Sequence, residues 1–358
     1  MRLGSPEYQA VYDNILNYFN GDQLAADVLI GKYLHRDNKF LYETSPEDLF
    51  NRLTDEFYRI EQKYPNSLTR IEIYDLLKDF KKLVMAGSPM AGIGLNQPVS
   101  LSNCYVLPDV QDSYAGILKN DEEQVQIAKR RGGVGYDVSN LRRANAPVNN
   151  SAMSSSGGVT FMERFSNGTK EVGQHNRRGA LLLSCSVKSP FAQDFLNAKT
   201  DRASVSGANI SLKLDNAFMH AVEHNEIYKQ HWTYANGYVE DNDLNASKFF
   251  ANIVENAWAH AEPGILFWDT VLKWSNGKAY GEKYTEVSSN PCFVGDTLLL
   301  TKDGYRTFEQ LSKEVNFGEK GYHTNIIDSN NVIQCGKVWS NGFKHVIKLV
   351  FENKSYLE

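Results

Sequence analysis

The side chains able to do covalent chemistry in this 358-residue chain are few and widely spaced. Four cysteines, Cys104, Cys185, Cys292 and Cys335, stand far apart with no CxxC pair. That spacing suits neither a zinc site nor a disulfide framework, so no metal is expected. Each thiol is then either a small buried apolar group or a reactive nucleophile. Cys104 lies in SLSNCYVLP, just after SPMAGIG, so a hydroxyl residue and a thiol stand at the two ends of a turn. Such a cysteine is either structural or one half of a redox pair. A second chemistry is signalled where glycines meet arginines. KRRGGVGYDVSNLRR (129–143) and GQHNRRGALLL (173–183) each run a basic loop into an apolar strand. Glycine lets backbone N–H groups approach an anion, and arginine offers a planar fork for phosphate. A tight turn needs the same glycines, so the first loop alone decides nothing. Two such loops together point to a nucleotide or another phosphorylated ligand.

These residues must be held by elements of two textures. Residues 6–86 read as helices, with apolar residues three and four apart. Ser45 is an N-cap before Pro46 and an acidic first turn, and SLTRIEIYDLLKDFKKLVMAG predicts a helix closing on Gly87. Beyond it, CYVLP, GVGYDVS, ALLLSCSV and ANISLKL alternate with helical stretches such as EEQVQIAKRR and PFAQDFLNAK. That alternation predicts an α/β domain on buried strands, a barrel or a wound sheet. ANAPVNNSAMSSSGG (144–158) is too polar to pack and reads as a functional surface loop. From Cys292 onward, β-branched and aromatic residues broken by DG, SNN and NG turns predict a small all-β module. The expected domains are therefore 1–86, 87–291 and 292–358. A formal charge of −5 argues against a general nucleic-acid or membrane binder. With no run of about 18 apolar residues and no basic-then-apolar leader, a cytoplasmic protein is expected.

The ordered series SPMAGIG, VSLSNCYVLP, DSYAGI, QVQIAKRRGGVGYDVSNLR, SSSGGVTFMERFSN, RRGALLLSCSV, ANISLKLDNAFMHAV, AEPGILFWDT and VSSNP resembles the large, catalytic subunit of ribonucleotide reductase. The resemblance covers about residues 70 to 291. It implies the first part of a ten-stranded α/β barrel that reduces the ribose 2′-hydroxyl of a nucleotide through a thiyl radical. By matching motifs, Cys104 is implied to be one of two thiols that become a disulfide. Ser88, Asn103 and the Gly132–Gly133 turn are implied along the substrate ribose and diphosphate, and Asn290 on the sugar. Asp112, Arg142 and the loop 144–157 are implied to hold a nucleoside triphosphate effector, dNTP or ATP. The loop 173–179, with Arg177 and Arg178, is implied to carry its message to the substrate. The family also implies a thioredoxin- or glutaredoxin-type reductant and a homodimer. NP before the cysteine and RRGALLLS…ANIS are closer to adenosylcobalamin-dependent relatives than to those with a separate metal-containing radical subunit. The opening helices show no ATP-binding cone, so overall control by ATP and dATP is not expected.

The pattern breaks at Cys292, where the family continues with a relay glutamate and this chain reads FVGD. CFVGDTLLLTKDGYRTFEQL resembles the first block of an intein: a nucleophile, GDT, apolar residues and DG. The first residue of such a module attacks the preceding carbonyl in an N-to-S acyl shift. A Hint-type, all-β segment is implied for 292–358. No TxxH and no terminal His-Asn pair follow, so a downstream reductase fragment with the C-terminal intein half is the expected partner. Cys292 then leaves with the intein, the thiyl cysteine comes from the partner, and this chain alone is inactive. The alternatives are a non-catalytic nucleotide-binding remnant and a variant reductase that uses Cys292 as its radical cysteine.

Overall fold

The computed structural model describes residues 1–172, 179–201, 204–234, 237–281, 285 and 287–289, with strand segments 298–301, 304–307, 322–327, 333–338, 349–350 and 356–357 beyond them. The chain divides into two compact units, Met1–Leu101 with Cys292–Glu358, and Ser102–Pro291. No helix among the described residues is long and apolar enough to cross a membrane.

The first unit begins with α1 (Pro6–Tyr18), α2 (Gln23–Val28), α3 (Pro46–Glu61) and α4 (Arg70–Leu77). α3 starts at a capping box: Ser45 Oγ accepts from the Asp48 amide at 3.2 Å, and Asp48 Oδ2 accepts from the Ser45 amide at 3.0 Å. Leu49, Phe50 and Leu53 then recur on one face and bury against Ile15, Leu29, Ile30, Leu41 and Ile73. Because Ser45 satisfies an otherwise orphaned helix amide, Ser45→Ala is expected to cost about 1 kcal/mol. A shift of the denaturant midpoint for this unit measures it.

The fourth helix departs from expectation. It stops at Leu77, and Asp79 and Phe80 take φ of 58° and 54°. This left-handed break turns the Phe80 ring to 4.9 Å from Phe50 and 6.5 Å from Phe19, while Asp79 Oδ1 accepts from Tyr18 Oη at 3.0 Å. Full burial of a phenyl ring is worth about 1.5–3 kcal/mol, and the partly buried Phe80 gains a share of that against the roughly 1–2 kcal/mol cost of a left-handed residue. Gly87 consequently opens a short helix, α5 (Gly87–Gly92), instead of closing a long one. Met90 of α5 joins the helical core, and Arg52 donates to the carbonyls of Met90 (3.3 Å), Tyr33 (3.2 Å) and Ile93 while paired with Glu43 at 2.6 Å. α5 therefore belongs with the helices, and the boundary lies at Leu101/Ser102 rather than at 86/87.

The second unit alternates strand and helix. In chain order come β1 (Cys104–Val106), α6 (Tyr114–Ala128), β2 (Gly133–Asp137), α7 (Gly158–Glu171), β3 (Leu181–Ser186), α8 (Ala192–Asn197) and β4 (Asn209–Leu214). α9 (Asn216–Glu223), the hairpin β5 (Ile227–Thr233) and β6 (Val239–Asn245), α10 (Ala246–His260), β7 (Gly264–Phe267) and α11 (Trp268–Trp274) follow. The sheet is wholly parallel in the order β1-β2-β3-β4-β7. Successive side chains on a strand point to opposite faces. One face, with Val134, Tyr136, Leu181, Leu183, Cys185, Ile210, Leu212 and Leu214, packs on Phe165, Phe195 and Phe218 of the helices and on Phe191, which caps α8. The register puts Cys104, Gly133, Gly135, Asp137, Ser184, Ser211 and Lys213 on the second face. Beyond Pro291, the described backbone forms an antiparallel sheet β11-β10-β8-β9 and a pair β12-β13, from β8 (Leu298–Thr301), β9 (Gly304–Thr307), β10 (Tyr322–Ile327), β11 (Ile333–Val338), β12 (Leu349–Val350) and β13 (Tyr356–Leu357).

Candidate active-site face and nucleotide-facing loops

Cys104 opens β1 and is exposed, on the same sheet face as Gly133 and two residues from Val106, which is also exposed. Cys185 is its opposite: fully buried on the helix-packed face, with burial itself pushing its thiol pKa well up. A thiol held protonated is a poor nucleophile, so of these two Cys104 is the one suited to exchange chemistry. The carbonyl of Asn103 accepts from the Gly133 amide at 2.7 Å, and the Ile127 carbonyl accepts from the Gly132 amide at 3.1 Å. A Cβ at Gly132 would stand 2.5 Å from Ile127 Cγ2, and one at Gly133 would stand 3.1 Å from Ala180 Cβ. Close packing thus favours glycine at both positions, most strongly at Gly132. Of the two readings left open for this loop, the tight turn is the one these bonds favour, since both amides donate to carbonyls within the protein. Ser88 is fully buried in α5 of the other unit.

The two residues expected at the effector site are brought together. Arg142 Nε and Nη2 lie 2.6 and 2.5 Å from Asp112 Oδ2, with the side chains 8% and 9% exposed. Arg142 also donates to the Pro147 carbonyl at the root of the polar loop and stacks 5.6 Å from the Tyr234 ring centroid. The loop folds back on itself: the Asn145 amide donates to Ser155 at 2.9 Å, the Ser155 amide to Ala146 at 2.8 Å, and Met153 is exposed at the tip. Sequence reading missed the hairpin's share. Arg143 pairs with the buried Glu240, which accepts from Tyr234 Oη at 3.1 Å. Burial, with Glu240 alongside, raises the Tyr234 hydroxyl pKa, so it remains a donor. IYKQHWT and VEDNDLN show no clean alternation of apolar and polar residues, so periodicity gave no signal for this pairing. Arg177, Arg178, Asn290 and Cys292 lie outside the described residues.

The second face also holds a polar group that no motif announced: Asp137, Ser184 and Lys213, joined by Ser288. Lys213 Nζ is 2.7 Å from Asp137 Oδ2, and the two side chains are 10% and 5% exposed. The signal was the alternation in ANISLKL and LLLSCS, which puts hydroxyls and a lysine on one face of an otherwise apolar sheet.

Residues 102–294 match the family described as "Ribonucleotide reductase, barrel domain". Over 202 residues the chain is 30% identical to the vitamin B12-dependent ribonucleoside-diphosphate reductase of Mycobacterium tuberculosis, covering 56% of this chain and 28% of that protein. Similarity to the vitamin B12-dependent ribonucleotide reductase of Streptomyces clavuligerus is 27% over 304 residues, 73% of this chain and 31% of the relative. The ribonucleoside-diphosphate reductase NrdEB subunit alpha of Bacillus subtilis is 23% identical over 304 residues, 74% of this chain and 28% of the relative. The chain thus spans less than a third of the length of each of these relatives. With a parallel strand–helix sheet, an exposed thiol on its first strand and a family match over more than half its length, this chain belongs to the ribonucleotide reductase family through its barrel domain.

Proposed function

We propose that this chain supplies the N-terminal part of a ribonucleotide reductase catalytic subunit, with the parallel sheet as the first part of its ten-stranded barrel. The observation that carries the reading is Cys104, exposed on the second face of a sheet whose residues 102–294 match the family's barrel domain. Reduction of a ribonucleotide replaces the 2′-hydroxyl by hydrogen and releases it as water. Two thiols lose two electrons and two protons to become one disulfide, which balances the change. Cys104 is one of these thiols, and the second comes from residues downstream. Asn103 and the Gly132–Gly133 turn are proposed to face the sugar and diphosphate, the glycines through close approach rather than through their committed amides, and Asn290 and Ser88 are carried over to the same role by motif alone. Asp112 and Arg142 hold a nucleoside triphosphate effector, and Arg177 and Arg178 relay its identity. A thioredoxin- or glutaredoxin-type protein reopens the disulfide, and the working unit is a homodimer.

Adenosylcobalamin is the proposed radical source, on the strength of the names of the Mycobacterium and Streptomyces relatives. Were it bound, it would supply the radical chemistry from which a thiyl is made. A separate metal-containing small subunit is the other source, and the Bacillus relative, named as a subunit alpha, aligns with 74% of the chain.

Residues 292–358 are proposed as the N-terminal half of a split intein with Cys292 as nucleophile. Splicing to a downstream fragment would then deliver the thiyl cysteine. The motif CFVGDT and the antiparallel strands beyond Pro291 support this reading. The family match running to residue 294, past Cys292, favours a second one in which Cys292 is itself the thiyl cysteine. Mixing the chain with a fragment carrying a C-terminal intein half and the reductase remainder is expected to give a ligated product, and Cys292→Ala to give none. Ligation that persists in that variant would falsify the assignment, and turnover by the isolated chain with a radical source added would establish the second reading.

A further inference from the structure

The polar group on the second sheet face does more than join strands. Ser184 is fully buried, and its hydroxyl donates to Asp137 Oδ2 at 2.9 Å. Its proton is thereby committed, so in the 2.9 Å contact between the two hydroxyls Ser288 is the donor. Asp137 Oδ1 accepts from the Ser139 amide at 2.9 Å, which fixes the carboxylate's rotation. Lys213 gives one proton to Asp137, another to the Val287 carbonyl at 3.1 Å, and lies 4.5 Å over the Trp268 ring. One residue further, Ser289 crosses β2 so closely that a Cβ at Gly135 would stand 2.1 Å from its carbonyl oxygen. Val287, Ser288 and Ser289 are therefore each fixed by a different kind of contact: a charged donor, a hydroxyl and a steric seat.

A buried ion pair is a poor device for stability, because well-packed apolar residues of the same volume serve as well or better. Its better-attested use is to impose one register. Here Ser288 is anchored through the Asp137–Ser184 pair and Val287 through Lys213, both on a segment distant in sequence. We propose that Asp137, Ser184, Lys213 and Gly135 are positioning residues that clamp residues 287–289 onto the sheet face that carries Cys104. The clamp holds residues 287–289 on that face, and it stands whether or not Cys104 is the reducing thiol.

The test is thiol labelling of the full 358-residue chain, resolved peptide by peptide by mass spectrometry. Ser288→Cys introduces a reporter at a position only 3% exposed, and Cys185, buried on the opposite face of β3, reports on the sheet itself. In the Ser288→Cys chain, iodoacetamide is expected to modify the reporter slowly relative to exposed Cys104. Adding Gly135→Ala keeps every charge but removes the seat, and adding Lys213→Met removes the cationic donor. Each is expected to raise reporter labelling about tenfold or more while Cys185 stays protected, since only the segment opens. Lys213→Arg, which retains a charged donor, is expected to restore much of the protection. Equal labelling with and without Gly135→Ala would overturn the clamp. So would a rise in Cys185 labelling in step with the reporter, because that means the residues merely hold the sheet together. Neither outcome bears on reductase or splicing activity, so failure of the clamp is distinguishable from failure of the functional reading.

Discussion

Arg142→Met is expected to destabilise the second unit by about 3–5 kcal/mol, a far larger loss than that of any surface charge. The reason is the company Arg142 keeps. Its guanidinium and the Asp112 carboxylate are both more than nine-tenths buried and joined through Nε and Nη2. Removing the cation leaves the carboxylate buried with its strongest partner gone. It also releases the Pro147 carbonyl, so the root of the polar loop loses a tether. The double variant Asp112→Ala with Arg142→Met removes both charges and is expected to be closer to the parent than either single variant. Urea denaturation of the four chains measures the coupling. A single-variant loss below about 1 kcal/mol would place the pair among weak surface bridges and refute this account. The same variants separate packing from ligand binding. If Asp112 and Arg142 hold an effector, a deoxynucleoside triphosphate should raise the melting temperature of the parent, because a ligand that binds only the folded state stabilises it. The double variant should fold and show no such rise.

The parts of this arrangement differed in how far they could be read from sequence, and the differences are physical. The start of α3 was legible because Ser45, Pro46 and the acids that follow act within one turn. Strands β2, β3 and β4 of the parallel sheet were legible as short apolar runs because nearly all of their residues, on both faces, are buried. The end of α4 was not legible, since it is decided by Phe80 reaching Phe50 and Phe19, contacts that periodicity does not encode. Gly132 and Gly133 illustrate a different obstacle. A phosphate cradle and a tight turn demand the same residue, and only the destinations of the two amides distinguish them. Asp112 and Arg142 were singled out by resemblance alone, thirty positions apart, and the fold brings them into one ion pair. Lys213 escaped notice because its partners, Asp137 and the Val287 carbonyl, come from a distant strand and a distant loop.

Cys104→Ser is expected to abolish turnover of the ligated enzyme, by roughly three orders of magnitude or more, while leaving its folding intact. The two halves of that statement come from separate observations. Cys104 is exposed at the start of an edge strand, and the sheet register is carried by backbone bonds that serine makes equally well. Substitutions at such sites usually stay within about 0.5 kcal/mol. Chemistry is less forgiving. Removing the 2′-hydroxyl as water requires two electrons, and a thiol pair supplies them by becoming a disulfide. A serine hydroxyl cannot enter that disulfide, so no conservative geometry rescues the step. Deoxynucleotide formed per ligated enzyme, measured beside a thermal melt, checks both halves. Turnover within tenfold of the parent would exclude Cys104 as a reducing thiol. A parallel Cys185→Ser variant serves as the contrast. It places a hydroxyl at a fully buried position packed among apolar residues, so its expected loss is in stability rather than in turnover per folded molecule.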